Sequence, residues 1–164
     1  MSRFLWSILA GLFALDRIAK GWALAHLAIG RAGPERSIDI LGYTLKASLQ
    51  LVTNQGAAWG LFSDNPKQLL FVRICLISAI LYCVCRTQNL TKAARFSWLC
   101  IAILALSNLL DVFLYGHIID MISLRFDRWE FAVFNPADAA ISIAWLALFA
   151  MQFGGKNPKK SRER

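Results

Sequence analysis

Charge is what this 164-residue sequence has least of, because only 17% of its residues are Asp, Glu, Lys or Arg. An ordinary soluble domain has about 25%. Apolar residues make up 57% of the chain, which excludes a disordered protein. Four cysteines are too few for a secreted disulfide scaffold, and they form neither a zinc-ligand spacing nor a C-x-x-C motif. No internal repeat is present either, and the length suits one domain.

The basic residues are clustered rather than spread. A formal net charge of +8 would point to a nucleic-acid partner if it covered a soluble surface, but here the charges lie at the ends of long apolar runs. A bilayer core requires about 20 apolar residues in helical form. Four runs qualify: 4–29, 68–85, 96–115 and 136–153. The sequence therefore predicts an all-α integral membrane protein, a single domain over 1–164 with four transmembrane helices and no nucleic-acid partner.

The distribution of Lys and Arg predicts the orientation of these helices. One set of ends carries Arg3, Arg86, Lys92, Arg95, Lys156, Lys159, Lys160, Arg162 and Arg164. Glu163 is the only acid among them, whereas the segments 30–67 and 116–135 carry equal numbers of acidic and basic residues. Cytoplasmic loops are enriched in Lys and Arg. Both termini, including the basic tail 154–164, are therefore predicted to be cytoplasmic, with segments 30–67 and 116–135 on the outer side.

The first outer segment has the pattern of a small β hairpin. Residues 45–51 alternate apolar and polar side chains, which is the period of a half-buried strand, and residues 37–40 do the same. Residues 41–43, Leu-Gly-Tyr, are suited to the turn between them. We expect an extramembrane hairpin that lies on the outer membrane face.

Polar side chains gather at one predicted level, the outer membrane boundary. They are Asn54, Asn108, Asp111, Asp120, Asn135 and Asp138, and Gly56 lies at the same level. Ionisable residues in or beside membrane spans suggest a functional site. Asn135-Pro136 is equally a good start for a helix, with Asp138 in its first turn. Asp16 and Lys20 lie four residues apart within the first run, and an ion pair that neutralises both is their simplest interpretation.

Asp120 and Asp138 bracket one short outer segment. No Ser/His pair, Cys/His pair or cluster of metal ligands accompanies them. Two carboxyl groups that share one proton can hydrolyse an amide, because the ionised group takes a proton from water while the protonated group hydrogen-bonds the carbonyl. This chemistry requires no cofactor and no metal.

Five sequence blocks occur in the order found in one known family: 16–20 (DRIAK), 54–60 (NQGAAWG), 108–111 (NLLD), 116–120 (GHIID) and 134–138 (FNPAD). With these blocks the chain resembles lipoprotein signal peptidase, the type II signal peptidase of bacteria. The resemblance implies a globomycin-sensitive aspartic protease of the inner membrane. It implies removal of signal peptides from diacylglyceryl-modified prolipoproteins by a cut just before the lipidated cysteine. It also implies an enzyme that contacts membrane lipids and acts as a monomer.

The resemblance further implies roles for individual residues. Asp120 and Asp138 would be the catalytic pair. The supporting and substrate-binding residues would be Asn54, Gly56, Asn108, Asp111, Asn135, Asp16 and Lys20.

The sequence departs from the family pattern in the third block. Ser107 stands where the family usually has Gly, and Val112 where it has Arg. Arg125 and Arg128 are the candidates to replace that arginine. Three other functions stay open at this point: a small transporter or channel subunit, a catalytically inactive homologue, and a non-enzymatic assembly factor.

Overall fold

A computed structural model describes residues 2–40, 42–55 and 65–154. The elements in chain order are α1 (Arg3–His26), β1 (Arg36–Ile40), β2 (Tyr43–Asn54), α2 (Pro66–Arg86), α3 (Lys92–Tyr115), β3 (Ile118–Phe126), β4 (Trp129–Glu130) and α4 (Pro136–Gly154). Three features of the sequence prediction lie outside the described residues: Leu41 of the hairpin turn, the candidate site residue Gly56, and the tail after Gly154.

Local signals set where the helices begin and end. The Thr91 hydroxyl accepts a hydrogen bond of 3.1 Å from the backbone N–H of Ala94 and so caps the start of α3. Helix α2 begins at Pro66, a residue whose fixed φ suits the first helical position. Helix α3 ends at Tyr115, and Gly116 caps it with a φ of +79°, the left-handed conformation that glycine adopts readily. This stop leads the chain directly into β3.

Within the part of the chain that the structure describes, three helices are long and apolar enough to cross a membrane: Pro66–Arg86, Lys92–Tyr115 and Pro136–Phe153. Helix α1 has 24 residues, but Asp16, Arg17 and Lys20 interrupt its apolar run. By length and composition, three of the four predicted spans are therefore supported. Helix α3 packs against each of the other helices. The main apolar core lies where α1, α3 and α4 meet, around Leu9, Cys100, Ile101, Leu104, Ala137 and Ala144.

The predicted hairpin is confirmed and forms half of a larger sheet. Strands β1 and β2 pair in antiparallel fashion, and Gly42 between them has a φ of +84°. The structure adds β3 and β4, giving one antiparallel sheet in the order β1-β2-β3-β4. The expectation of two strands was therefore incomplete. The alternation over 122–126, Ile-Ser-Leu-Arg-Phe, is the sequence signal that marks β3.

The sheet has one apolar and one polar face, because side chains alternate along each strand and directly paired residues share a face. The apolar face carries Ile38, Ile40, Tyr43, Leu45, Ala47, Leu49, Ile122, Leu124, Phe126 and Trp129, with Arg36 at its edge. The polar face carries Ser37, Asp39, Thr44, Lys46, Ser48, Ser123, Arg125 and Glu130. Asp120 lies two residues before Ile122 on β3, so its side chain is on the same face, at the end of the strand nearest the helices. The apolar face therefore leads directly to a carboxyl group.

Candidate active site

Asp120 is a buried carboxyl on β3, where it pairs across the sheet with Val52 and is only 2% exposed. Asn54 donates a hydrogen bond of 3.1 Å to Oδ2, and Asn135 donates one of 2.8 Å to Oδ1. Burial, followed by the charge of Asp138, raises the pKa of Asp120 from 3.8 to about 6, against the lowering effect of both hydrogen bonds. Asp120 thus keeps a proton at a pH where an exposed aspartate has lost it.

Asp138 lies in the first turn of α4, and Asn135 caps that helix. The backbone N–H of Asp138 donates to Asn135 Oδ1 at 2.9 Å, and the backbone N–H of Asn135 donates back to Asp138 Oδ2 at 3.3 Å. This reciprocal pair is a capping box. The predicted helix start is therefore confirmed, and the same contacts fix the direction of the Asp138 carboxyl.

The side chains of Asn108 and Asn135 link the two carboxyl groups. Asn108 donates to Asp138 Oδ1 at 2.8 Å, and its Oδ1 accepts from Lys20 Nζ at 2.6 Å and from Asn135 at 3.1 Å. An ammonium group can only donate. Lys20 therefore holds the oxygen of Asn108 toward itself and leaves the amide NH₂ to face Asp138. The NH₂ group of Asn135 donates both to Asn108 and to Asp120, and so completes the connection between Asp138 and Asp120.

A buried ionic network lies directly behind these amides. Lys20 Nζ is 2.8 Å from Asp16 Oδ2 and 2.7 Å from Asp111 Oδ2, and all three side chains are fully buried. The predicted Asp16–Lys20 ion pair is thus confirmed. Arg17 pairs with the second oxygen of Asp111, and the Ser107 hydroxyl donates to Asp16 at 2.6 Å. Two acids face two bases, so the formal charge of the network is zero.

Arg17 is the member of this network that the sequence interpretation missed. It lies within the first block, between Asp16 and Lys20, and it also donates to the Ser107 carbonyl at 3.2 Å. The signal was available, since Asp111 is an acid within an apolar run and requires a cation.

Neither arginine expected to replace the one missing at position 112 reaches this site. Arg125 pairs with Glu35 at 2.8 Å on the polar face of the sheet. Arg128 is exposed in the turn before β4.

A cavity of about 500 Å³ lies between the two carboxyl groups and the apolar side chains of α2, α3 and α4. Its apolar wall includes Leu76, Ile77, Ile80, Ile101, Ile141 and Trp145, and its polar lining includes Asn54, Arg73, Asn108, Asp120, Asp138 and Ser142. The structure thus brings eight predicted site residues around one point or directly behind it: Asn54, Asn108, Asn135, Asp120 and Asp138, with Asp16, Lys20 and Asp111 in the ionic network. Among the described residues, no group of three or more His, Cys, Asp or Glu side chains could hold a metal ion.

Comparison with known proteins gives the family. The model described as signal peptidase (SPase) II matches residues 8–153. The chain belongs to the signal peptidase II family. It is 42% identical over 94 residues to the lipoprotein signal peptidase of Chlamydia felis, covering 57% of each chain. With the enzyme of the same name from Chlamydia trachomatis serovar D it is 38% identical over 108 residues, covering 65% of each. The match therefore spans less than two thirds of either relative.

The fold also has a counterpart among solved structures. A bacterial membrane enzyme solved by the in meso method at 2.3 Å resolution superposes with a TM-score of 0.76 at 21% identity. The superposition covers 98% of this chain and 94% of the other, and it shows a shared fold. Signal peptidase II membership and the three apolar helices together indicate a bacterial membrane protein.

The raised pKa of Asp120 predicts a pH-dependent stability. Between pH 3.8 and about 6 the folded chain keeps a proton that the unfolded chain has lost, so stability due to this group falls as pH rises through that window. Replacement of Asp120 by Asn removes the titration. We expect the Tm of Asp120→Asn to rise relative to wild type between pH 4 and 7, measured by thermal unfolding in detergent. A Tm difference that is constant over this range would contradict the assignment.

Proposed function

We propose that this member of the signal peptidase II family is a membrane aspartic endopeptidase. Its substrates would be prolipoproteins with a diacylglyceryl-modified cysteine, and the cut would lie just before that cysteine. One observation carries the proposal: Asp120 and Asp138 line one cavity, and the hydrogen-bonded amides of Asn108 and Asn135 connect them. No cofactor takes part in this chemistry.

The proposed reaction uses one proton shared by the pair. The ionised carboxylate takes a proton from water, and the water oxygen attacks the scissile carbonyl carbon. The protonated carboxyl donates a hydrogen bond to the carbonyl oxygen as negative charge develops there. When the tetrahedral intermediate collapses, the C–N bond breaks and the leaving nitrogen takes a proton from the pair. The raised pKa of Asp120 supports a singly protonated pair up to about pH 6, well above the range in which an exposed aspartate holds a proton.

We propose that α1 is the fourth membrane span. Its three central charged residues turn inward, where Asp16, Arg17 and Lys20 are neutralised by contacts with one another and with α3. Its exposed side chains are largely apolar: Phe4, Trp6, Leu15, Ile18, Trp22 and Leu24. A neutralised interior and an apolar exterior suit a lipid environment. With the basic ends on the cytoplasmic side, the cavity would open at the outer face of the inner membrane.

The apolar face of the sheet supports a site at the membrane surface. Trp129 is 76% exposed, and Ile38, Ile40 and Tyr43 on the same face are also exposed. Exposed apolar patches of this kind mark membrane or ligand contacts. We propose that this face rests on outer-leaflet lipid and directs a lipid-anchored substrate to Asp120. A monomer would suffice, since one chain carries both carboxyl groups.

The purified wild-type protein in detergent tests the proposed function. We expect it to cleave a diacylglyceryl-modified prolipoprotein just before the modified cysteine, with full activity in chelator and loss of activity in globomycin. The same precursor without the lipid should remain intact. No cleavage by a folded protein would favour an inactive homologue or an assembly factor. Ion flux in proteoliposomes that is lost on Asp16→Asn would favour a transporter.

A further inference from the structure

Arg73 lies on the packed face of α2 rather than on its lipid-facing side. Arg73, Ile77, Ile80 and Val84 follow one helical stripe at intervals of three and four residues. Ile77 and Val84 are buried, and Arg73 and Ile80 are partly buried. The residues on the outer faces are exposed: Phe71, Val72 and Ile74. Helix α2 therefore directs the guanidinium into the molecule.

The guanidinium lines the same cavity as Asp120 and Asp138 and interacts electrostatically with both, more strongly with Asp138. Among the described residues that line this cavity, Arg73 is the single cation. Its neighbours on α2 are apolar, and a charge in such a wall is costly unless an opposite charge lies nearby. Asp120 and Asp138 supply opposite charge within the same cavity.

Without Arg73, the charged groups around Asp120 and Asp138 leave the site with a net negative charge. Helix α1 contributes Asp16, Arg17 and Lys20, and α3 contributes Asp111. These four are paired with one another and sum to zero. The charge of Lys20 also favours the ionised form of Asp120 and Asp138, but its full charge is already balanced by the two acids that it contacts. A pair that shares one proton has a charge of −1. Arg73 brings the whole site to neutrality in the protonation state that hydrolysis requires.

We infer that Arg73 is a positioning residue that acts on the Asp120–Asp138 pair as its counter-charge and sets the pH range of activity. The inference rests on the proposed function for its link to catalysis. A nearby cation favours the ionised form of a carboxyl group. Without Arg73 the doubly protonated pair persists to higher pH, so both limbs of the activity profile move upward.

The pH dependence of kcat/KM in three variants tests this inference. We expect Arg73→Leu to move both limbs upward by about one pH unit. Arg73→Lys keeps the charge and should stay near the wild-type profile. Arg125→Leu, which removes an arginine from the polar face of the sheet, is the matched control and should leave the profile in place. An Arg73→Leu profile that is lower but unshifted would overturn the inference, because it would indicate a packing role only.

A titration that does not depend on turnover separates this inference from the proposed function. The infrared band of the protonated carboxyl groups, identified by its loss in Asp120→Asn, is followed against pH in wild type and in Arg73→Leu. We expect the band to persist to higher pH in Arg73→Leu. If that shift occurs while wild type fails to cleave the precursor, the inference about Arg73 is supported and the proposed function is wrong. If wild type cleaves and the band does not shift, the counter-charge is wrong.

Discussion

Asp120→Asn and Asp138→Asn are each expected to lower cleavage of the lipid-modified prolipoprotein by about 10³-fold or more. An asparagine amide can neither take a proton from water nor donate an acidic proton to the scissile carbonyl. Asn matches Asp in size but keeps only one acceptor oxygen, so each substitution also removes one of the two hydrogen bonds that the carboxyl accepts. The measurement is single-turnover cleavage at pH 7, with thermal unfolding recorded on the same samples.

Asp127→Asn is the matched control for this prediction. Asp127 is exposed, lies outside the cavity and has a φ of +50°, a conformation that Asn tolerates well. The substitution removes one negative charge from the same outer segment, and we expect the rate of cleavage to equal that of wild type. Near-normal activity in either Asp120→Asn or Asp138→Asn would show that the two carboxyl groups are not the catalytic pair.

Lys20→Met should lower the free energy of unfolding by about 3–5 kcal/mol, the usual cost of removing one partner from a buried ionic network. The side chain is fully buried, and its ammonium contacts Asp16, Asp111 and Asn108. Methionine fills a similar volume but leaves two buried carboxylates facing the single charge of Arg17. The measurement is denaturant unfolding in mixed micelles at pH 7.

Two comparisons make this prediction specific. Lys46→Met removes a lysine whose partner Glu35 is partly exposed, and we expect a change within about 1 kcal/mol. Adding Asp16→Asn to Lys20→Met restores the charge balance, so the double variant should recover part of the lost stability. If the effects of the two substitutions on the free energy of unfolding simply add, the charges do not stabilise one another.

Much of the helical architecture could be predicted from the sequence alone, because the signals are local. A run of apolar residues predicts a helix wherever it occurs. The spacing of four between Asp16 and Lys20 places them on one helix face whatever else the chain does. Asn135-Pro136 begins a helix for reasons contained in those residues and the next turn. The hairpin was predicted by its alternation and by Gly42.

The site itself required the tertiary structure, because periodicity decides which residues share a face but not which element they meet. Arg17 and Asp111 are 94 residues apart, and Asn54 and Asp120 are 66 apart. Nothing local indicates that Arg73 lines the cavity beside two carboxyl groups, since a cation in an apolar helix could equally extend toward the membrane surface. The sequence by itself determined the helices, the hairpin and the residues able to carry acid–base chemistry. The packing of α1, α2, α4 and the sheet around α3 decided which of those residues share one cavity, because only that packing excludes water and gives each buried charge its partner.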